Sequence, residues 1–494
     1  MDRSSAGISG QYTRSDNGYN QPNGRAPSSR RGRYRHTTVR QRDSHPRSTP
    51  GCNKFHHSSE TSPSQYLMHR SVNSAQDFNA LIEPEIMAGL VRKSKRFGHR
   101  YDGRDHGLYA SSVKKYTSAA KRPLNRAEQS QLMRLLQNFA ATRSWNWRSL
   151  TTTFHSLTSA GVFTPHKPVD ERVKRTQAAL LSTLLDAIRF KCNKKAEAWD
   201  IDAQGIANLL WAMAKLVDNA QERTPELNGA VVALLPLVIA QQANFKPQEI
   251  ANLLWSMAKL GELLELNVVT YTFESLVYRI SENPEFSQQE IPLSLWGVMV
   301  CCARLFLDSN ANQSNVFEKH MDDLFTRLKN TSPDNEEEQS IITLAASWLG
   351  RACPVVRHYH TNSSKNQVDF RDQLQSSIPS LRIEEEKSLN SLPPVDLLLP
   401  DHNMVIEVQG PSHYVGGDFK TRNGSTLLKI ALLQKAGFEV IEIPANQLLK
   451  KDLMKPYIDQ IKIRESIAPQ GHDSASLKRG WSDAAYVTAE EHSN

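Results

Sequence analysis

Hydrophobic residues recur with helical spacing from about residue 126 to residue 352, and three segments within this region resemble one another. Each segment carries a tryptophan at the same position: Trp211, Trp255 and Trp296. The first two share the letters Ala-Asn-Leu-Leu-Trp and Met-Ala-Lys-Leu around that residue. The tryptophans are 44 and 41 residues apart. A repeat of about 40 residues with two helices per unit is typical of an α-solenoid.

Start signals place these three helices in one register. Asp202 is a good N-cap for the first, and Ser287 with Glu290 predicts a capping box at the start of the third. Pro247 suits the first position of the second helix, although Lys246 before it is a poor cap. An apolar helix is predicted before each of them, over residues 176–190, 227–242 and 268–281. Each repeat is therefore predicted to be a helix–turn–helix unit.

Weaker copies of this unit flank the three strong ones, at residues 147–157 and 341–349. We therefore predict four or five units of α-helical repeats over residues 126–352. Residues 81–125 are expected to form an irregular helical linker before them. A stacked array of this kind presents an extended surface to a polymer or to a protein partner.

The repeat tryptophans lie among apolar positions, so we expect them to pack between neighbouring units rather than to stack on bases. Asn208 and Asn252 recur one turn before Trp211 and Trp255. They either contact the edge of an RNA base, as in solenoids that bind one base per repeat, or form hydrogen bonds with the adjacent backbone. The residues alone leave both interpretations open.

The hydrophobic pattern changes after about residue 377, where short runs of strand-forming residues replace the helical spacing. Residues 395–399 and 404–408 are two such runs around a turn at Pro400 to Asn403, which predicts a β-hairpin. The further predicted elements are a helix at 367–376, a strand at 381–387, a helix at 426–436, a strand at 438–443 and a helix at 453–463. We therefore predict a small α/β domain over residues 353–465.

Charge distinguishes the N-terminal quarter of the chain from the rest. The protein has 494 residues and a formal net charge of +8, with 60 Lys and Arg against 52 Asp and Glu. Residues 1–130 hold 23 of the basic residues and only 10 of the acidic ones, so the remaining residues are slightly acidic. The basic pI therefore describes the N-terminal region. It does not support a folded body that acts as one large basic clamp for nucleic acid.

Residues 1–80 form a basic leader that we expect to be disordered, and we expect the same of a tail over residues 466–494. Residues 1–66 contain no leucine, and a segment of this composition cannot bury enough apolar surface to fold. The leader contains four arginines interleaved with Gly and Tyr, which can contact phosphates and stack on bases: Arg30, Arg31, Arg33 and Arg35. A solvated tail without a ligand is the alternative.

Cysteine spacing and hydropathy indicate the compartment. The five cysteines show no paired spacing, which favours a reducing, intracellular environment. The longest apolar runs fall short of the about 20 residues that a membrane span needs, and the N-terminus lacks the apolar segment of a secretory signal peptide. The Arg- and Ser-rich leader is similar both to a transit peptide and to the export signal of a bacterial effector. We therefore expect either an organelle, chloroplast or mitochondrion, or a host cell after bacterial secretion.

The C-terminal motifs resemble the RAP domain. The segments that carry the resemblance are Val395-Asp-Leu-Leu-Leu-Pro400, Val405-Ile-Glu-Val-Gln-Gly-Pro-Ser-His-Tyr414, Leu427-Leu-Lys429 and Gly437-Phe-Glu-Val-Ile441. Such a domain follows helical repeats in octotricopeptide-repeat proteins, in FAST-kinase-domain proteins and in some bacterial effectors. With the repeats, the resemblance covers about residues 126–465. It implies RNA binding, and a function in RNA processing or in the control of RNA stability.

The RAP domain in turn resembles the PD-(D/E)xK nuclease fold, which implies a catalytic role for several residues. In that fold, acids on two neighbouring strands bind Mg²⁺, and a third residue two positions after the second acid positions the attacking water. The corresponding residues here are Asp396, Glu407 and Gln409, and glutamine replaces the usual lysine. His413 is a candidate to donate to the phosphate or to act as a general acid, and Lys429 to neutralise transition-state charge.

The same acids can instead be polar positions of a binding module, neutralised by Lys429 or by backbone groups. The leading hypothesis is a protein that binds single-stranded RNA and acts in RNA processing or stability, with a candidate Mg²⁺-dependent endoribonuclease site. One alternative is a non-catalytic RNA-binding protector. Another is an adaptor or secreted effector whose solenoid binds a host protein. No membrane partner is expected, and Mg²⁺ is the cofactor expected if the protein is a nuclease.

Overall fold

The structure is a computed structural model of the protein. It describes residues 83–466, with gaps at 165, 167, 169, 195–197, 218–223, 283–285, 288, 309–313, 329–334, 352–362, 388 and 390–391. The predicted disordered leader over residues 1–80 lies outside the described residues, and with it lie the four candidate RNA contacts Arg30, Arg31, Arg33 and Arg35. The predicted tail beyond residue 466 lies outside them as well.

Alternate helices stack in two rows, as in an α-solenoid. The helices are α1 Glu83–Phe97, α2 Gly103–Ala119, α3 Arg126–Ala140, α4 Trp147–Ser159, α5 Glu171–Asn193, α6 Ala203–Leu216, α7 Thr224–Ala240, α8 Pro247–Leu260, α9 Leu266–Glu282, α10 Glu290–Leu307, α11 Ser314–Leu328 and α12 Glu336–Leu349. The even-numbered helices contact one another in chain order. In the second row, α1, α3, α5 and α7 do the same, and α9 contacts α11. The predicted helical repeats are thus confirmed.

Capping residues determine where the repeat helices begin. The Asp202 carboxylate accepts a hydrogen bond from the Gly205 N–H at 2.7 Å, as predicted for the N-cap of α6. Helix α8 begins at Pro247, also as predicted. At the start of α10, the Glu290 carboxylate accepts from the Ser287 N–H at 2.8 Å, which is one half of the predicted capping box.

The stack of helices begins earlier along the chain than the hydrophobic pattern indicates. Residues 81–125 were expected to be an irregular helical linker, but α1 and α2 are regular helices that pack against α3 and α4. Helix α2 begins with a capping box in which Asp102 and Asp105 each accept a hydrogen bond from the other's N–H. The pattern is weak here because small or polar residues, such as Gly107 and Ser112, occupy buried positions.

Helix α10 lies in the core of the helical region. Among the described helices, it alone is long and apolar enough to cross a membrane, and 78% of that 18-residue window is buried inside the structure. Trp296, Cys301 and Cys302 are all buried. Burial raises the pKa of the Cys301 thiol to about 12, so this side chain behaves as a small apolar group. The apolar run is thus used to pack α10 against its neighbours.

The C-terminal region forms a four-stranded sheet with helices on both faces. Its elements are α13 Lys365–Ser377, β1 Glu384–Lys387, β2 Val395–Leu399, β3 Met404–Gln409, α14 Gly424–Lys435, β4 Glu439–Pro444 and α15 Lys451–Ser466. The strand order is β1-β2-β3-β4, in which β1–β2 and β2–β3 are antiparallel and β3–β4 is parallel. The predicted hairpin and the predicted order of elements are confirmed.

Side chains that alternate along the strands divide the sheet into two faces. Leu397, Ile406 and Ile441 belong to a core that the sheet shares with α13 and α15. Leu398 and Val405 point to the opposite face and belong to the core of the solenoid. Helix α14 lies on this second face, so the α/β region and the solenoid share one hydrophobic core.

Two glycines allow the α/β region to approach the solenoid closely. Helix α14 packs against α8 and α10, and a Cβ atom at Gly424 would lie 2.0 Å from the carbonyl oxygen of Ala258. Gly261, just after α8, has a φ of +54°, and a Cβ there would lie 2.4 Å from the carbonyl oxygen of Arg422. Backbone therefore meets backbone at this contact, which leaves no room for a side chain at either position.

Candidate functional site

A row of polar side chains crosses the sheet on the face that α14 covers. Asp396 lies on β2, Glu407 and Gln409 on β3, and Glu442 on β4. Glu407 is directly opposite Glu442 in the parallel pair of strands. Glu407 and Gln409 point to the same face because they are two residues apart on one strand. Residues paired in register on neighbouring strands, such as Glu407 and Glu442, also point to the same face. Such a row inside an apolar sheet requires partners for its charges.

Lys429 of α14 is the partner of Glu407. Its Nζ lies 2.6 Å from Glu407 Oε2, and the Glu407 side chain is only 2% exposed. The second carboxylate oxygen of Glu407, Oε1, is buried without a hydrogen-bond partner in the described part of the chain. An ion pair at this depth is costly to break, because one charge would then stay buried alone.

Burial also displaces the protonation equilibria of the site. It raises the pKa of Glu407 to about 8, and the nearby Lys429 ammonium opposes this rise without cancelling it. It also raises the pKa of Asp396, again against the effect of Lys429. The two carboxylates keep the pKa of Lys429 above its usual value although burial alone would lower it. The lysine therefore stays charged, and the pKa of Glu407 stays well above the usual carboxyl range.

Asp396 is held against β3 by the backbone. Its Oδ2 accepts a hydrogen bond from the Val408 N–H at 2.6 Å, and its side chain is half-buried. The proximity of the Asp396 carboxylate contributes to the raised pKa of Glu407. The hairpin thus brings the two predicted acids together, as the sequence indicated.

Gln409 continues the polar row toward the solenoid. Its Nε2 donates to Glu442 Oε2 at 2.9 Å, while its own Oε1 is buried without a hydrogen-bond partner among the described residues. Glu442 Oε1 accepts from Arg422 Nη1 at 2.9 Å. Arg422 then reaches Glu262 of the solenoid, with Nη2 at 2.6 Å from Oε1 and the backbone N–H at 2.9 Å from Oε2. A continuous chain of charged and polar contacts therefore connects β3 to the end of α8.

Three residues of this network were not predicted from the sequence: Glu442, Arg422 and Glu262. Glu442 has a signal that could have been used, because it is an acid between two isoleucines, in the same way that Glu407 lies between Ile and Val. Arg422 and Glu262 have none, because 160 residues separate them. Only the fold brings these two together.

Residues 406–453 match the RAP domain. The matched segment covers most of β3, all of α14 and β4, and the start of α15. RAP domains in general bind nucleic acid, and RNA in particular. No relative among curated proteins matches the chain.

Most of the predicted catalytic set lies within the matched RAP segment: Glu407, Gln409, His413 and Lys429. Asp396 precedes the segment but lies on the neighbouring strand β2. The remaining candidates are elsewhere. Asn208 and Asn252 are half-buried on α6 and α8 of the solenoid.

His413 lies in the loop between β3 and α14 of the RAP domain. Its ring Nδ1 is 3.4 Å from Thr426 Oγ1, and that hydroxyl donates to the His413 carbonyl oxygen at 2.9 Å. Burial, together with the Lys429 ammonium, lowers the pKa of His413 to about 4. The imidazole is therefore neutral at neutral pH. Of the predicted set, Lys429 is the group that carries a positive charge under those conditions.

The ligands that the RAP-domain site offers to Mg²⁺ are of a suitable type, but they are few. Asp396 and Glu407 supply carboxylate oxygens, and Gln409 supplies an amide oxygen, which are the ligands that Mg²⁺ prefers. The unpartnered oxygens of Glu407 and Gln409 are compatible with such a role. No group of three or more His, Cys, Asp and Glu residues that could hold a metal ion occurs in the described ranges. Any ion here would also compete with the Lys429 ammonium for Glu407.

Proposed function

We propose that the protein binds single-stranded RNA and acts in RNA processing or in the control of RNA stability. The observation that carries the proposal is the RAP match at residues 406–453, in a domain whose helix α14 packs directly on a helical-repeat solenoid. The repeats offer a long surface for a polymer, and the RAP domain is fixed at one end of that surface. A protein-binding adaptor is the main rival.

The test is to recover the RNA that crosslinks to the full-length protein in cells and to sequence it. We expect a limited set of transcripts, whose abundance or processing changes when the protein is removed. The purified protein is expected to bind oligonucleotides of those sequences more tightly than scrambled ones. Recovery of no RNA above background would overturn the proposal and favour the adaptor.

A second candidate function is Mg²⁺-dependent cleavage of the bound RNA. It is supported by the two acids on neighbouring strands together with the buried, unpartnered oxygens of Glu407 and Gln409. Asp396, Glu407 and Gln409 would hold the ion, which supplies positive charge for the phosphate and lowers the pKa of a bound water. Lys429, which extends from α14 toward the two acids, would stabilise negative charge on the phosphate.

Cleavage of single-stranded RNA by the purified protein in Mg²⁺, and its loss in EDTA, tests this second candidate. Glu407→Gln is expected to abolish cleavage and to retain RNA binding. Asp401→Asn is the matched control, because Asp401 is an exposed acid in the turn of the same hairpin. Equal cleavage by the wild-type protein and the Glu407→Gln variant would exclude this site. No cleavage by either would favour the non-catalytic protector.

A further inference from the structure

The even-numbered helices of the solenoid share four equivalent positions, spaced i, i+4, i+7 and i+11, which form one face of a helix. On α2, α4 and α6 every one of these side chains is exposed or half-buried. We name these twelve residues the open stripe: Arg104, Leu108, Ser111, Lys115, Arg148, Thr152, His155, Ser159, Gln204, Asn208, Trp211 and Lys215. The stripe crosses three neighbouring helices that contact one another in order.

The equivalent face is buried farther along the solenoid, and the RAP domain covers part of it. On α8 the third and fourth positions are Trp255 and Lys259, and on α10 they are Trp296 and Val300; all four are buried. Gly424 of α14 lies directly on this face, since a Cβ there would be 3.1 Å from Val300 Cγ1. The open stripe therefore ends at α8, the first helix of this row that α14 of the RAP domain contacts.

Charge along the row favours a polyanion at the open stripe only. Helices α2, α4 and α6 contain five Lys and Arg residues and a single acid, Asp105, whose carboxylate is used in the α2 capping box. Helices α8, α10 and α12 contain two basic and five acidic residues. The body of the protein is mildly acidic as a whole, but this local surface is basic. Phosphate groups would be attracted to it.

The stripe also contains a platform for a base. Trp211 is half-buried, whereas the equivalent Trp255 and Trp296 are buried. The His155 ring lies 5.0 Å from the Trp211 ring, and Lys215 Nζ lies 5.6 Å from the same ring. Aromatic rings beside a cation stack on the bases of single strands, and the Asn208 amide one turn away can form hydrogen bonds with a base edge.

We propose that single-stranded RNA binds along the open stripe and continues toward the RAP domain, which closes off the later repeats. This inference rests on the proposed function and specifies its binding surface. The RNA contacts α2, α4 and α6 with its phosphates and stacks a base at Trp211. The face of α8 and α10 beneath α14 takes no part in binding.

Charge reversal at two exposed arginines tests the electrostatic contribution. The full-length Arg104→Glu/Arg148→Glu variant is expected to bind single-stranded RNA about tenfold more weakly at physiological ionic strength, as for two lost phosphate contacts. The matched control is Arg134→Glu/Arg175→Glu, which makes the same charge change at exposed positions of α3 and α5 in the other row of helices. The control is expected to change affinity less than about twofold, apart from the general effect of net charge.

Substitution of Trp211 tests the stacking platform. Trp211→Ala is expected to weaken RNA binding at least about fivefold, the lower end for the loss of one stacked base, and Trp211→Phe to retain most of the affinity. Tyr271→Ala is the control, since Tyr271 is a 55% exposed aromatic residue on α9. Thermal unfolding of each variant identifies any loss of folded protein.

The outcomes separate this inference from the proposed function. If the wild-type protein binds RNA and the stripe variants bind no more weakly than their controls, the open stripe is not the binding surface, and the proposed function stands. The open stripe would also be excluded as the binding surface if all peptides crosslinked to RNA came from outside α2, α4 and α6. If the wild-type protein binds no RNA, both fall together.

Discussion

At the scale of single residues, the acid at position 407 is the most unusual feature of the RAP domain. Glu407 is buried, its pKa is raised to about 8, and its main partner is the Lys429 ammonium at 2.6 Å. Between the ordinary carboxyl pKa and pH 8, the folded state holds a proton on Glu407 that the unfolded state has released. The free energy of unfolding therefore falls as pH rises through this range. The ion pair offsets part of this cost and does not remove it.

We therefore predict a pH-dependent difference between the wild-type protein and Glu407→Gln. Above the ordinary carboxyl pKa and up to pH 8, Glu407 should lower the wild-type free energy of unfolding by at most about 1.4 kcal/mol per pH unit. The variant lacks this dependence, so its stability relative to wild type should rise with pH. Urea unfolding at a series of pH values measures the difference. Asp401→Asn, at an exposed acid in the same hairpin, is the control variant, and a pH-independent difference between the wild-type protein and Glu407→Gln would contradict the prediction.

At the scale of elements, helix α14 joins the two parts of the molecule. One side of the helix carries Lys429 to the polar row on the sheet, and its first turn touches the backbone of α8 at Ala258. The chain after β3 is clamped at the same place by Arg422, which contacts both Glu262 and Glu442. The position of the RAP site relative to the repeats is therefore set by backbone contacts, which are sensitive to small changes in volume.

Gly424→Ala is expected to destabilise the protein by about 1–3 kcal/mol, because the new methyl group would overlap the Ala258 carbonyl and force α14 away from the solenoid. Thermal unfolding of the full-length protein measures the loss. The control is Gly410→Ala, at a position with no atom within 4 Å of a new Cβ and with an ordinary φ of −72°. Equal unfolding temperatures for the two variants would show that α14 does not approach the solenoid as closely as described.

At the scale of the whole molecule, the local part of the architecture was predictable, whereas its long-range part was not. The period between Trp211 and Trp255, the cap at Asp202 and the turn after Pro400 are local patterns that determine helices and a hairpin. Strand alternation put Glu407 and Gln409 on one face, and the predicted hairpin brought Asp396 close to them. By contrast, the different exposure of Trp211 and Trp255 cannot be read from their nearly identical segments, because it depends on the long-range packing around each helix. The contact between Glu262 and Arg422 depends on the same packing.

The length of chain between Glu262 and Arg422 also affects the order in which the protein can fold during synthesis. These residues are 160 positions apart, and α8 is complete before the residues that cover it exist. At about 5–20 residues per second, a ribosome needs roughly 8–30 s to synthesise the intervening chain. During that interval the face of α8 that α14 will contact stays uncovered by α14 on the nascent protein, so a chaperone that shields it before α14 emerges would raise the yield of folded protein.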